Sequence, residues 1–137
     1  MDLVYKKYHA LDKADLHLID DGFTLLTFKD KVNFELEDAK EVDELTFGMV
    51  NGGPFVTLVD ARNIRSNISH EAREYFAKND KISKIRKGQA IIVNSLHTKL
   101  LANFYMKFHR PENPVKIFND FDKAEKWIRK IRGQWFK

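Results

Sequence analysis

Phe55-Val56-Thr57-Leu58-Val59, closed by Asp60, and Gln89-Ala90-Ile91-Ile92-Val93 are the runs whose reading decides the fold. Both are short and apolar and lack the alternation of a half-exposed strand. That pattern belongs to strands buried on both faces. Between them Ser69 is a good helix N-cap, and Glu71 falls in the first turn. Ala72, Tyr75 and Phe76, with Ile82 and Ile85 beyond, make an apolar side. Lys78, Lys81, Lys84, Arg86 and Lys87 are expected in solvent, and Gly88 ends the pattern. A strand, a helix and a second buried strand make a parallel crossover unit.

Working outward, residues 14–19 alternate around Leu16 and Leu18. Asp20-Asp21-Gly22 is turn chemistry, and Phe23–Phe28 reads as a strand, so the two form an antiparallel hairpin. Residues 37–50 have helical spacing, with Ala39, Val42, Leu45 or Thr46, and Met49 on one face. Asn51-Gly52-Gly53-Pro54 stops that helix. On the other side, Asn94 or Ser95 caps a helix over 96–109, and Pro111 and Pro114 bracket the connection that follows. Val115–Phe118 is a last strand. Asn119 or Asp120 caps a helix over 121–132 whose inner face holds Ala124, Trp127, Ile128 and Ile131. The order ββαβαβαβα predicts an α/β fold: a mixed, mostly parallel sheet with an N-terminal antiparallel hairpin and four helices.

The chain has 137 residues and no cysteine. Its length suits a single domain over 1–137, with a core at about 14–131 and no need of a disulfide or metal staple. The absence of cysteine excludes thiolate zinc sites and thiol nucleophiles and fits a reducing compartment. The start, Met-Asp-Leu-Val-Tyr-Lys-Lys, lacks the apolar core of a signal peptide, and no run is long enough to span a bilayer. A cytoplasmic location is expected. The net charge of +4 sits in residues 121–137, where Lys123, Lys126, Arg129, Lys130, Arg132 and Lys137 outnumber Asp122 and Glu125. A basic excess gathered at one terminal helix, and not spread over a larger face, reads as a solvated face and does not predict a nucleic-acid partner.

Val59-Asp60-Ala61-Arg62, Ser69-His70-Glu71-Ala72-Arg73-Glu74-Tyr75, Ala90-Ile91-Ile92-Val93-Asn94-Ser95, Asn103-Phe104, Pro114-Val115-Lys116-Ile117-Phe118 and Ala124-Glu125-Lys126-Trp127 carry a family resemblance. In this order the chain resembles the STAS domain, the fold of anti-sigma-factor antagonists such as SpoIIAA. It is more similar to small uncharacterised SpoIIAA-like proteins of Bacteroidetes, over roughly residues 14–131. The resemblance implies a non-enzymatic interaction or regulatory domain. In the antagonists a Ser in an Asp-Ser-Ser-Gly-like loop is phosphorylated, and the added charge breaks a complex. Here the corresponding stretch is Ile68-Ser69-His70-Glu71. The Gly is absent, Ser69 or His70 occupies the acceptor position, and Glu71 would repel a phosphate. The departure bears on the switch and leaves the fold untouched.

Asp60, Arg62, Ser69, His70 and Arg73 are expected at the C-terminal edge of the sheet, where open α/β folds place ligands. They read either as a partner or anion site or as a salt bridge and a helix cap. Asn94-Ser95 reads as an ordinary cap. The helix over 96–109 carries more apolar residues than one face needs: Leu96, Leu100, Leu101, Phe104, Tyr105, Met106 and Phe108. Leu101, Phe104, Tyr105 and Phe108 are therefore candidates for a homodimer or partner surface, or for the lining of an apolar cavity. The alternative is that the N-terminal segment or Trp135-Phe136 covers them.

The histidines, His9, His17, His70, His97 and His109, show no metal-ligand spacing, and no metal is expected. No nucleophile elbow, Walker loop or dinucleotide fingerprint is present, and no cofactor is expected. Three roles follow. The first is a protein-interaction or regulatory domain acting with a partner or as a homodimer. The second is a module for a small apolar ligand or lipid, since some SpoIIAA-like proteins share an architecture with Sec14-type domains. The third is an enzyme acting through Asp60, Arg62 and Arg73 on a phosphorylated substrate.

Overall fold

The computed structural model describes residues 6–62 and 67–136. Residues 1–5, residues 63–66 of the expected loop, and Lys137 of the basic tail lie outside the described residues. One sheet of six strands organises the rest, in the order β1 (Lys7–Ala10), β2 (Ala14–Asp20), β3 (Phe23–Phe28), β5 (Phe55–Asp60), β7 (Arg86–Ile92) and β8 (Val115–Phe118). β1, β2 and β3 pair antiparallel; β3, β5, β7 and β8 pair parallel. Two short strands, β4 (Asn33–Phe34) and β6 (Asn67–Ile68), form a separate parallel pair.

The helices are α1 (Leu36–Met49), α2 (His70–Lys78), α3 (Asp80–Ser83), α4 (Leu96–Phe104) and α5 (Phe121–Gly133), with a π-helical turn over Tyr105–His109. Each parallel step goes to the next strand in the same direction. Right-handed crossovers then put α1, α2 and α4 on one face of the sheet. α5 follows the last strand, makes no crossover, and covers the other face. There Phe23, Leu25, Val56, Leu58, Ala90 and Ile92 pack against Ala124 and Ile128.

The sheet is as expected from the sequence, with three differences of physical interest. β1 is an added edge strand whose residues are all exposed, so no apolar alternation marks it. The helix starting after Ser69 breaks at Asn79. That residue is extended (φ −60°, ψ 108°), and its side chain caps α3 by accepting from the Lys81 amide. Asn competes with the helix for backbone groups and favours such caps.

The third difference is a correction. β7 begins at Arg86, so Gly88 lies inside the strand and Arg86 is 4 % exposed instead of solvated. A Cβ at Gly88 would stand 3.2 Å from Ile131 and 3.4 Å from Ile128. The glycine lets α5 approach the sheet closely.

Candidate functional site

Alternation along each strand sends Thr24 and Leu26 of β3, Thr57 and Val59 of β5, and Gln89 and Ile91 of β7 to the face beneath α1, α2 and α4. Between this floor and the helices lies a cavity of about 110 Å³. α1 contributes Val42, Asp43 and Thr46 to its walls. α2 contributes Arg73 and Phe76. Thr98, Leu101 and Ala102 come from α4, and Tyr105 from the π-helical turn.

The walls are mostly apolar, but the floor has a polar row. Thr24 pairs in register with Thr57, and Thr57 with Gln89. All three are buried. Gln89 Nε2 donates to the Tyr105 hydroxyl at 3.3 Å, and Thr57 Oγ1 donates to the Leu58 carbonyl at 3.3 Å. Thr24 Oγ1 is buried with no hydrogen-bond partner. Arg86 donates from Nη2 to the Phe76 carbonyl at 2.6 Å, but its Nε has no partner. Arg73 lies over the Phe104 ring at 4.7 Å, and its Nε is likewise buried without a partner.

Asp43 is the carboxylate of this chamber. It accepts from Asn79 Nδ2 at 3.1 Å, and Tyr75 Oη accepts from the same amide at 3.2 Å. Burial pushes the Asp43 carboxyl up to about 6, against the opposing pull of the Asn79 hydrogen bond and the Arg86 charge. Burial is also the main cause that raises the Tyr105 hydroxyl. Beside the cavity, the fully buried His109 ring shares a hydrogen bond with Glu74 (Nδ1 to Oε2, 2.9 Å), and its Nε2 has no partner.

The residues expected at the sheet edge bond to different groups. Arg62 closes a two-pronged pair on Asp60, at 3.0 and 2.9 Å, and its guanidinium lies 5.3 Å from the Phe121 ring. Ser69 caps α2 by accepting from the Ala72 amide at 3.1 Å. His70 is exposed, with its ring 4.9 Å from that of His109. Among the described residues, no hydrogen bond or ion pair joins the Asp60–Arg62 pair to Ser69, His70 or Arg73. Of those five, only Arg73 lines the cavity.

The apolar helix divides its residues. Leu101 and Tyr105 line the cavity. Phe104 and Phe108 face outward with ring centroids 4.4 Å apart, beside Leu96 and Leu100. The described parts of the two covers that the sequence offers lie elsewhere. The N-terminal strand pairs with β2 at the far edge, Phe136 lies against Gly22, and Trp135 lies over Lys87.

Sequence reasoning missed Thr24, Asp43, Arg86 and Gln89. Asp43 sits one residue past Val42 on the inner face of its helix, Thr57 interrupts an otherwise apolar strand, and Gln89 stands at the head of the apolar run of β7. Those signals are visible in the sequence, but the register that makes a row of them is not. Among the described residues, no group of three His, Cys, Asp or Glu side chains is placed to hold a metal, and no helix is long and apolar enough to cross a membrane.

An α/β sheet with an antiparallel start, a parallel remainder and this helix arrangement defines a SpoIIAA-like fold. It is similar to the crystal structure of an uncharacterised protein of the DUF3478 family, with a SpoIIAA-like fold, from Shewanella loihica PV-4. The match has a TM-score of 0.58 at 19% identity and covers 89% of this chain and 90% of that chain. The chain itself belongs to the DUF7793 family, a domain of unknown function whose model matches residues 17–132. No curated protein matches it.

Proposed function

We propose that the domain is a non-enzymatic binding module for a small, compact and largely apolar molecule, held between the sheet and α1, α2 and α4. The observation that carries this reading is the cavity of about 110 Å³ under α4, with buried polar atoms on its walls that lack partners. Tightly packed interiors leave few voids larger than a water molecule. An apolar cavity of roughly 150 Å³ is known to stay dry and take up benzene. This volume therefore suits a single ring or a short chain better than a two-chain lipid.

The test is a titration of the full chain with benzyl alcohol and 1-hexanol, followed by amide shifts in two-dimensional NMR. Shifts are expected at Thr57, Gln89 and Ala102. Ala102→Leu, which fills the cavity, is expected to abolish them while leaving the circular dichroism spectrum unchanged. Absence of shifts with the alcohols and with benzoate and hexanoate alike, or equal binding by Ala102→Leu, sinks the reading.

Protein interaction, with a partner or as a homodimer, is a second reading, favoured by the outer row of α4. Leu96, Leu100 and Phe108 are 73%, 58% and 60% exposed. Isolated apolar residues on a surface are ordinary, but a contiguous row is not. Sedimentation of the full chain is expected to show a concentration-dependent dimer that Leu100→Glu dissociates. A monomer at every concentration removes the self-association form of this reading.

A further inference from the structure

We infer that the ligand is a small carboxylic acid, its carboxylate paired with the cavity's arginines and its body against the apolar walls. This rests on the ligand-binding reading above, in which any small, largely apolar molecule would be held, and adds the acid group.

The case begins with charge. Arg73 and Arg86 both line the cavity, and a guanidinium stays protonated in a protein interior. Arg86 is 4% exposed, and its one hydrogen bond goes to a neutral carbonyl. Among the described residues, neither arginine has a carboxylate within ion-pair distance. Among the described residues, Asp43 is the single acidic side chain on the cavity wall, and its own hydrogen bond comes from Asn79. Even with Asp43 ionised, the lining carries one positive charge more than negative.

Buried charges are ordinarily paired, and buried donors ordinarily find acceptors. Three polar atoms of this lining have none: Arg73 Nε, Arg86 Nε and Thr24 Oγ1. All three can donate, so what the chamber lacks is an acceptor bearing negative charge. A carboxylate is planar, offers two oxygens and matches the guanidinium fork. A free inorganic anion fits less well, because Leu26, Val59, Ile91 and Ala102 supply walls that only an apolar body satisfies.

The experiment compares acid and alcohol of matched shape on the full chain by calorimetry: benzoate with benzyl alcohol, and hexanoate with 1-hexanol, with inorganic phosphate as a further probe. Each acid is expected to bind at least about tenfold more tightly than its alcohol, and phosphate not to compete. Arg73→Gln and Arg86→Met are expected to bring the acid down to the affinity of the alcohol while leaving the alcohol's affinity unchanged. Should Arg86→Met fail to fold, Arg86→Lys keeps the charge, loses the fork, and is expected to show most of the same loss. If the alcohols bind as tightly as the acids, or phosphate displaces benzoate, the carboxylate assignment falls while the ligand-binding reading stands. If neither acid nor alcohol binds, both fall.

Discussion

Thr24 and Asp43 are polar residues in a chamber with mostly apolar walls, and each carries a measurable consequence. A buried hydroxyl without a partner costs about 1–3 kcal/mol. Thr24→Val keeps the shape and removes that hydroxyl. The unliganded variant is expected to gain about 1 kcal/mol in urea unfolding; a loss of stability would mean that the hydroxyl is satisfied in the folded protein. Asp43 titrates in the opposite sense to a salt-bridged carboxylate. Its folded-state value, about 6, lies above the ordinary 3.8, so folding favours the protonated form. The resulting penalty is absent below about pH 4, grows between about pH 4 and 6, and is complete above. Asp43→Asn keeps an acceptor for Asn79 and removes the charge. It is expected to stabilise the protein by up to about 3 kcal/mol at pH 7.5, and by little at pH 3.5. An equal gain at both values would show that ionisation is not the cause.

The elements were legible to different degrees. Phe55–Asp60 and the run from Gln89 stand out because burial on both faces leaves almost no polar residue in them. The β2–β3 hairpin is marked by Gly22, whose φ of +66° the turn requires. β1 is invisible because nothing in it is buried. Helix α2 is marked by its cap, and that cap decides what Ser69 is. Its hydroxyl accepts from the Ala72 amide, so Ser69→Ala is expected to cost about 1 kcal/mol. Ser69→Asp, which also caps, should retain most of the stability in thermal unfolding. Were the serine without a structural role, Ala and Asp variants would melt together with the parent. The site was less legible than the elements. Arg73, Leu101 and Tyr105 stand out in the sequence and line the cavity. Arg86 was misplaced, because only the true start of β7 turns it inward. Ser69, His70, Asp60 and Arg62 share an expected position along the sheet edge, yet Asp60 and Arg62 pair with each other while Ser69 caps α2 and His70 lies by His109.

At the scale of the molecule, the end of α5 is tied to the first hairpin. Arg132 Nε donates to the Asp21 carbonyl at 2.8 Å, Arg132 Nη2 stands 3.6 Å from Asp20 Oδ2, and Phe136 lies against Gly22. Phe136→Ala is expected to lower stability by about 1 kcal/mol by loss of this partly buried ring. Amide exchange should quicken at the β2–β3 turn as well as in α5; exchange altered in α5 alone would show that the tie is weak. The strand order bears on synthesis as well. Each strand of the main sheet is laid beside the one made just before it, so every new edge finds its neighbour already outside the ribosome. The α5 helix is made after all of them. Until it emerges, Phe23, Leu25, Val56 and Leu58 form a bare greasy face on the nascent chain, which makes that interval the natural moment for a chaperone to hold it.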